Sequence, residues 1–279
     1  MMKIISGLLL LALPLLAQSQ DRIIIAGGSL TEIVYALGAG DRVIAVDQTS
    51  GYPPQVGSLP QIGYWKQLNT EGILSLKPDL FMTWSDAEPN WVLQQLAQQS
   101  VNVSLFKRIP ATVEQLCINI SQVAKILDLK PQGERLIADI KQKIDRVTIE
   151  VSKQPEKVRV LFLLSIGGGS PQIAGQGSIA DGIITLAGGT NAATHSQYKQ
   201  YSGESIIATR PDIIVVTKQS MESTDGLKSL EATPGVVQTP AWRNQRIVAV
   251  DQATLLGMGP RVAEAVDELY RGFYPAAAK

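Results

Sequence analysis

The chain has very few of the residues that usually build metal sites and catalytic dyads. It contains one Cys, Cys117, and one His, His195, in 279 residues. A single thiol cannot form an intrachain disulfide or hold a zinc or iron–sulfur site, and a single imidazole excludes metal sites that need two. Cys117 stands in an apolar helical pattern and is predicted to be a small core residue. His195 stands in a polar stretch and is predicted to be a solvated loop residue.

An excess of either charge is also lacking, because 25 Lys and Arg balance 25 Asp and Glu. The sequence therefore lacks the basic surplus that would favour nucleic acid as a partner. The one long apolar run covers residues 4–17, after Met1-Met2-Lys3 and before the small residues of Ala17-Gln18-Ser19. It is short for a membrane span, so we predict a cleaved signal peptide over residues 1–19 and a mature chain in the periplasm. A lipid anchor is not expected, because there is no Cys near the cleavage point.

Short apolar runs alternate with segments of helical spacing. The first run, 22–26, is followed by Gly27-Gly28-Ser29 and by a predicted helix over 30–37. Such alternation is typical of a mostly parallel sheet with helices on its faces. Strands are predicted over 22–26, 43–46, 80–83, 158–164, 213–217 and 247–250.

The middle of the chain changes to a helical period. Apolar residues recur at three and four over 113–127, and Pro131 opens a second such stretch with charges on its other face. Proline suits a helix start, where its missing N–H has no helical partner. We therefore predict an N-terminal lobe over 20–130, one long amphipathic helix over 131–155 and a C-terminal lobe over 156–279.

Two segments of the first half recur in the second half in the same order. EGILSLKPDL, from Glu71, is matched by ESIIATRPDI, from Glu204, and residues 28–40 are matched by 177–189. The first pair shares Glu, Ile two positions later, and a basic residue before Pro-Asp. The second pair shares Gly-Ser at its start and Gly at its end. The repetition favours two lobes of related topology, with generic βα turn chemistry as the alternative.

The whole mature chain resembles the periplasmic binding proteins that serve ABC importers of haem, cobalamin and iron–siderophores. The resemblance is carried by residues 68–73 with 77–80, and by Gly257-Met258-Gly259-Pro260-Arg261 before the last helix. It implies an α/β fold of two Rossmann-like lobes with parallel sheets, joined by one long α-helix, and a ligand in the cleft between the lobes. It also implies a carrier with a transported ligand rather than an enzyme with a catalytic cofactor.

The segment Gly63-Tyr64-Trp65-Lys66-Gln67-Leu68 resembles the haem-binding branch of this family, in which the Tyr is the axial ligand of the haem iron. A phenolate is a hard, anionic donor suited to ferric iron, and a nearby cation favours its formation. Lys66 stands where the branch usually has Arg, and it lacks the planar fork of Arg, so the group that supports Tyr64 stays open. The alternative for Tyr64 is a loop aromatic packed on Trp65 or on a proline.

Further residues are candidates for contact with haem, which has two propionates and two apolar faces. Lys66 and Arg261 are the candidate cations. Trp84 ends a predicted strand, where ligands of open α/β sheets gather, or it caps the core of its lobe. Ile166 stands where some carriers of the branch have a second ligand, a His. We expect Ile166 to pack on the porphyrin of five-coordinate iron, or its Gly-rich segment to be a turn without ligand contact.

The resemblance assigns Glu71 and Glu204 to docking, one on each lobe, against Arg residues of a dimeric ABC permease in the inner membrane. A symmetric permease fits one acidic residue per lobe. The alternative is a Glu favoured in the first turn of a helix by the helix dipole. The expected partners are thus haem and the permease, with the carrier itself a monomer.

Haem carriage has alternatives both within this family and outside it. Cobalamin or a ferric siderophore is the alternative ligand within the family, and neither requires Tyr64 as an iron ligand. A secreted hydrolase lacks support because the Gly-x-Ser-x-Gly turn is absent from the sequence. A dinucleotide site lacks support because no Gly-x-Gly-x-x-Gly follows the first strand.

Overall fold

The structure, a computed structural model, describes residues 22–164, 170–222 and 225–275. The predicted signal peptide, residues 1–19, and the candidate Ile166 lie outside the described residues. None of the helices in the described ranges combines the length and the apolar character that crossing a bilayer demands.

The N-terminal lobe is built on a four-stranded sheet whose strands all pair in parallel. The two central strands are buried at every residue, as in sheets with both faces covered. The strand order is β2-β1-β3-β4, with bounds β1 (Ile23–Ala26), β2 (Val43–Val46), β3 (Leu80–Trp84) and β4 (Asn102–Phe106). Its helices are α1 (Gly28–Ala36), α2 (Thr70–Ser75), α3 (Asn90–Gln98) and α4 (Val113–Ile126).

A long helix, α5 (Lys130–Ser152), joins the two lobes and has Pro131 in its first turn. The helical conformation is interrupted between α4 and α5 at Asp128, whose φ of 57° is left-handed. The sequence predicted that α5 would run to residue 155. It ends at Ser152 because Pro155 disfavours the helical conformation of the residue before it.

The C-terminal lobe repeats the architecture of the N-terminal lobe. Its parallel sheet has the order β10-β9-β5-β7, and β6 and β8 form a separate antiparallel pair. The strands are β5 (Arg159–Phe162), β6 (Gln172–Ala174), β7 (Thr190–Asn191), β8 (Tyr198–Gln200), β9 (Ile213–Thr217) and β10 (Ile247–Val250). The helices are α6 (Ile179–Leu186), α7 (Gly203–Thr209), α8 (Lys218–Glu222), α9 (Gly226–Ala232), α10 (Pro240–Arg243), α11 (Gln252–Leu256) and α12 (Val262–Phe273).

The segments that recur in the sequence have the same local structure in both lobes. Asp79 accepts a hydrogen bond from the backbone N–H of Arg22 at 2.9 Å, and Asp212 accepts one from that of Arg159 at 2.8 Å. The basic residue two positions before each Asp is left-handed, with φ of 49° and 43°. Each Asp therefore fixes the start of the first strand of its own lobe. The repetition is structural, beyond turn chemistry alone.

One hydrophobic core runs through both lobes. It includes Phe81 of β3, Ile144 of α5 and Phe162 of β5. A second cluster, with Leu161 and Ile214, covers the other face of the C-terminal sheet. Because α5 contributes its apolar stripe to the shared core, the lobes are joined by packing as well as by the chain.

Candidate ligand-binding site

The loop that carries Tyr64 is fixed to the edge of the N-terminal sheet where the parallel strands end. The N–H of Gln48, just after β2, donates to the carbonyl oxygen of Gly63 at 2.8 Å. The N–H of Glu88 donates to the carbonyl oxygen of Trp65 at 3.0 Å. Tyr64 is thus held at the carboxyl edge of the sheet, the edge where ligands of open α/β sheets bind.

Tyr64 is half-buried and packs edge-on against Trp65, with ring centroids 5.5 Å apart and planes at 64°. Its hydroxyl group forms no hydrogen bond with any residue in the part of the chain that the structure describes. Packing on Trp65 and a free phenolic oxygen therefore occur together. The contact orients the ring and leaves the oxygen without a hydrogen-bond partner among the described residues.

Two cations lie over the indole of Trp65, which is 8% exposed. Lys66 Nζ is 4.7 Å from the ring centroid and the guanidinium carbon of Arg108 is 5.0 Å from it. Both distances fall within the range of cation–π attraction. Trp65 therefore contacts both Tyr64 and two cationic side chains.

Two carboxylates hold these cations in place. Asp86 accepts from Arg108 Nε at 2.9 Å and pairs with Arg108 Nη2 at 2.8 Å. Lys66 Nζ donates to Glu88 Oε1 at 2.8 Å and to the carbonyl oxygen of Asp86 at 2.9 Å. Because these pairs are partly exposed, each adds little stability by itself, and their main effect is to fix the side chains.

Trp84 is buried, at the end of β3, with its indole against Gly27. It lines a cavity of about 10 Å³ together with Arg108 of the N-terminal lobe and with Ile179 and Met258 of the C-terminal lobe. A cavity of this size holds about one water molecule. Trp84 therefore lies at a close contact between the lobes, and it caps the first βα turn.

Arg261 is engaged across the lobes rather than with the cations at Trp65. It forms two hydrogen bonds with the carboxylate of Glu32 on α1, Nη2 to Oε1 at 2.6 Å and Nε to Oε2 at 3.1 Å. Its guanidinium carbon lies 3.8 Å from the ring centroid of Tyr52. The structure thus brings Tyr64, Lys66 and Trp65 together and leaves Arg261 in a separate interlobe contact.

Glycine allows the close approach of the segment before Arg261 to α1. A Cβ on Gly259 would lie 3.1 Å from the Cβ of Ser29 and 3.3 Å from Glu32 Oε2. Contacts this short would displace the neighbouring side chains. The Gly-Met-Gly-Pro-Arg motif of the sequence is therefore an interlobe contact.

Glu71 and Glu204 are exposed, and each lies in the first turn of its helix, α2 and α7. Asn69 caps α2 by accepting from the N–H of Gly72 at 2.8 Å, and Ser202 caps α7 in the same way. The position favours a negative charge through the helix dipole, and the exposure leaves both carboxylates accessible. Both interpretations made from the sequence fit this geometry.

Two residues that interact across the lobes were not identified from the sequence. Arg108 follows β4, and Tyr198 forms the start of β8 in the C-terminal lobe. Burial raises the pKa of Tyr198 to about 12, against the opposing effects of the Arg108 charge and a hydrogen bond with Ser178. The charge of Arg108 thus acts on a side chain of the other lobe. Neither residue belongs to a motif, and only the fold brings their elements together.

The expectation of a solvated His195 is wrong. The ring is half-buried, its Nδ1 is 2.8 Å from the hydroxyl of Tyr201, and its Nε2 is 3.2 Å from the carbonyl oxygen of Ile173. Both ring nitrogens are therefore used within the C-terminal lobe. Within the described ranges, no group of three or more His, Cys, Asp or Glu is arranged to hold a metal ion.

Comparisons with known proteins agree on the fold. The sequence profile of the family described as "Periplasmic binding protein" matches residues 23–254. The apo structure of the periplasmic heme-binding protein RhuT from Roseiflexus sp. RS-1 is 37% identical with a TM-score of 0.86, covering 92% of this chain and 99% of that one. The structure of the periplasmic heme-binding protein BhuT in complex with two hemes is 33% identical, with the same coverage and TM-score.

A curated relative has a different ligand in its name. The vitamin B12-binding protein of Vibrio parahaemolyticus is 28% identical over 257 residues, which cover 91% of this chain and 89% of that protein. Two of the three ligands anticipated from the sequence, haem and cobalamin, thus appear in the names of similar proteins.

Proposed function

We propose, since the chain belongs to the periplasmic binding protein family, that it captures ferric haem in the periplasm and delivers it to an ABC permease. It acts as a monomeric carrier after cleavage of residues 1–19, docks on a permease dimer, and performs no catalysis. Haem is the transported ligand rather than a resident cofactor.

The observation that carries the proposal is the phenolic oxygen of Tyr64. It lies in a loop fixed at the ligand-binding edge of the sheet, and its oxygen is free of hydrogen bonds with the described residues. Lys66 and Arg108, which lie over the adjacent indole of Trp65, supply N–H donors for anionic groups of a ligand. A phenolate is an established axial ligand of haem iron.

Cobalamin is the second candidate ligand, supported by the relative of Vibrio parahaemolyticus. Its cobalt does not need a phenolate from the carrier, so Tyr64 would then be an aromatic contact only. The two candidates differ in what the Tyr64 oxygen does.

Absorption titrations of the purified protein with hemin, cobalamin and a ferric siderophore, run in parallel, test the proposal. We expect a shifted Soret band with hemin at one equivalent or more, and no saturable change with the other two ligands. Tyr64→Phe removes only the oxygen and should weaken hemin binding by about 10-fold or more. Tyr35→Phe is the matched control, because Tyr35 is also half-buried in the same lobe but stands at the far end of α1.

Saturable binding of cobalamin without binding of hemin would refute the haem proposal in favour of the second candidate. An unchanged hemin spectrum and affinity in Tyr64→Phe would refute the role of Tyr64.

A further inference from the structure

We infer that Arg108 binds a propionate carboxylate of the haem, a role that the sequence offered to Lys66 and Arg261. This inference rests on the proposed function and names the group of the protein that recognises the anionic edge of the ligand.

The position of Arg108 is the first support. It follows β4 at the same carboxyl edge of the sheet as Tyr64. Its guanidinium lies over the indole of Trp65, the same indole that Tyr64 packs against edge-on. A porphyrin ligated by Tyr64 carries its propionates at its rim, a ring radius from the iron. Trp65 contacts both the ring of Tyr64 and the guanidinium of Arg108, so the two side chains share one neighbour at this edge of the sheet.

The geometry of the guanidinium is the second support. Asp86 engages Nε and Nη2, whereas Nη1 makes no hydrogen bond with the residues that the structure describes. The Arg108 side chain is 24% exposed. Two N–H donors are therefore preorganised and available to a carboxylate, which Arg binds through its planar fork.

All three candidate cations are paired with protein carboxylates, and the other two differ from Arg108 in where they lie or in the shape of the charged group. Arg261 places both Nε and Nη2 on Glu32 and lies against Tyr52. Lys66 divides its ammonium between Glu88 and the carbonyl oxygen of Asp86. Of these cations, Arg108 alone lines the water-sized gap where both lobes meet.

The test pairs a change in the protein with a change in the ligand. Hemin and hemin dimethyl ester, in which both propionates are neutral, are titrated into the wild type, Arg108→Gln and Arg108→Lys. We expect Arg108→Gln to weaken hemin about 10-fold and to leave the affinity for the dimethyl ester unchanged. Arg108→Lys keeps the charge without the fork and should recover part of the hemin affinity.

Arg135→Gln is the control, because Arg135 is an exposed Arg of α5 that bonds only its own helix in the described chain. Equal loss of affinity for hemin and for its ester in Arg108→Gln would refute the inference, since Arg108 would then only support Trp65. Unchanged hemin affinity would refute it too. A wild type that binds neither porphyrin would instead refute the proposed function, and this inference with it.

Discussion

Arg261 and Glu32 lie 229 residues apart in the chain and form a bidentate ion pair between the two lobes. The Arg261 side chain is 18% exposed and that of Glu32 is 7% exposed. Water is therefore largely excluded from the pair, and each charge depends on the other for its compensation.

Arg261→Met should lower the free energy of unfolding by about 3 kcal/mol, because it leaves the Glu32 carboxylate buried without a partner. Urea unfolding of the mature chain measures this change. Lys143→Met is the control, since Lys143 and Asp139 form an exposed pair on α5, 47% and 49% exposed, and its loss should change stability by less than about 1 kcal/mol.

The double variant Glu32→Met with Arg261→Met separates the buried charge from the packing of the contact. With no charge left in the contact, most of the lost stability should return. A double variant as unstable as the single one would show that packing around the side chains, rather than the uncompensated charge, is responsible.

Tyr198 should resist ionisation in the folded protein. Its pKa is raised to about 12 by burial, whereas an ordinary Tyr ionises near about 10. Phenolate absorbance of the wild type and of Tyr198→Phe should therefore coincide near pH 10.5 and separate only as the pH approaches about 12. A difference already present at the ordinary pKa would contradict the burial of this hydroxyl.

The same shift has a consequence for stability. Because the pKa is higher in the folded state than in the unfolded state, the contribution of Tyr198 is complete below about pH 10 and is lost as the pH rises through about 12. Tyr198→Phe should thus lose less stability than the wild type over this alkaline range, as measured by urea midpoints.

Glu71→Ala combined with Glu204→Ala should leave hemin affinity intact and lower hemin transport. Both carboxylates are exposed in the first turns of α2 and α7, and neither is paired with Lys66 or Arg108 in the described chain. Uptake into vesicles that contain the permease measures transport. Glu134→Ala, on the exposed face of α5, should change neither property. Normal uptake by the double variant would refute the proposal that these two residues dock on the permease.

Closure of the lobes on haem binding should be small. A hydrophobic core that passes through α5, with Ile140, Ile144 and Val147 buried, resists rotation of one lobe against the other. Solution X-ray scattering with and without hemin measures the radius of gyration, and we expect only a slight change. A large contraction would indicate a hinge that the packing of α5 does not provide.

The sequence predicted the central strands well because they are buried on both faces. Every residue of β3 and of β9 is buried, so hydrophobicity alone marks these strands. The edge strand β4 was missed because Asn102–Phe106 mixes polar and apolar residues with only Phe106 buried. A pattern based on hydrophobicity cannot distinguish such a strand from a loop.

The candidate site was predicted in part for a related reason. Tyr64, Trp65 and Lys66 are consecutive, so a sequence motif reveals them together. Arg108 reaches Trp65 through the parallel pairing of β3 with β4, and nothing in Lys107-Arg108 distinguishes it from a charged loop. Glu32, the partner of Arg261, could not be predicted from the sequence either, because the contact between the two residues depends on how the lobes pack.

The matched anchors, Asp79 on Arg22 and Asp212 on Arg159, give each half of the molecule its own start for its sheet, although one hydrophobic core runs through both halves. Each half keeps its own means of starting its sheet, so substitutions in one half do not remove an anchor from the other.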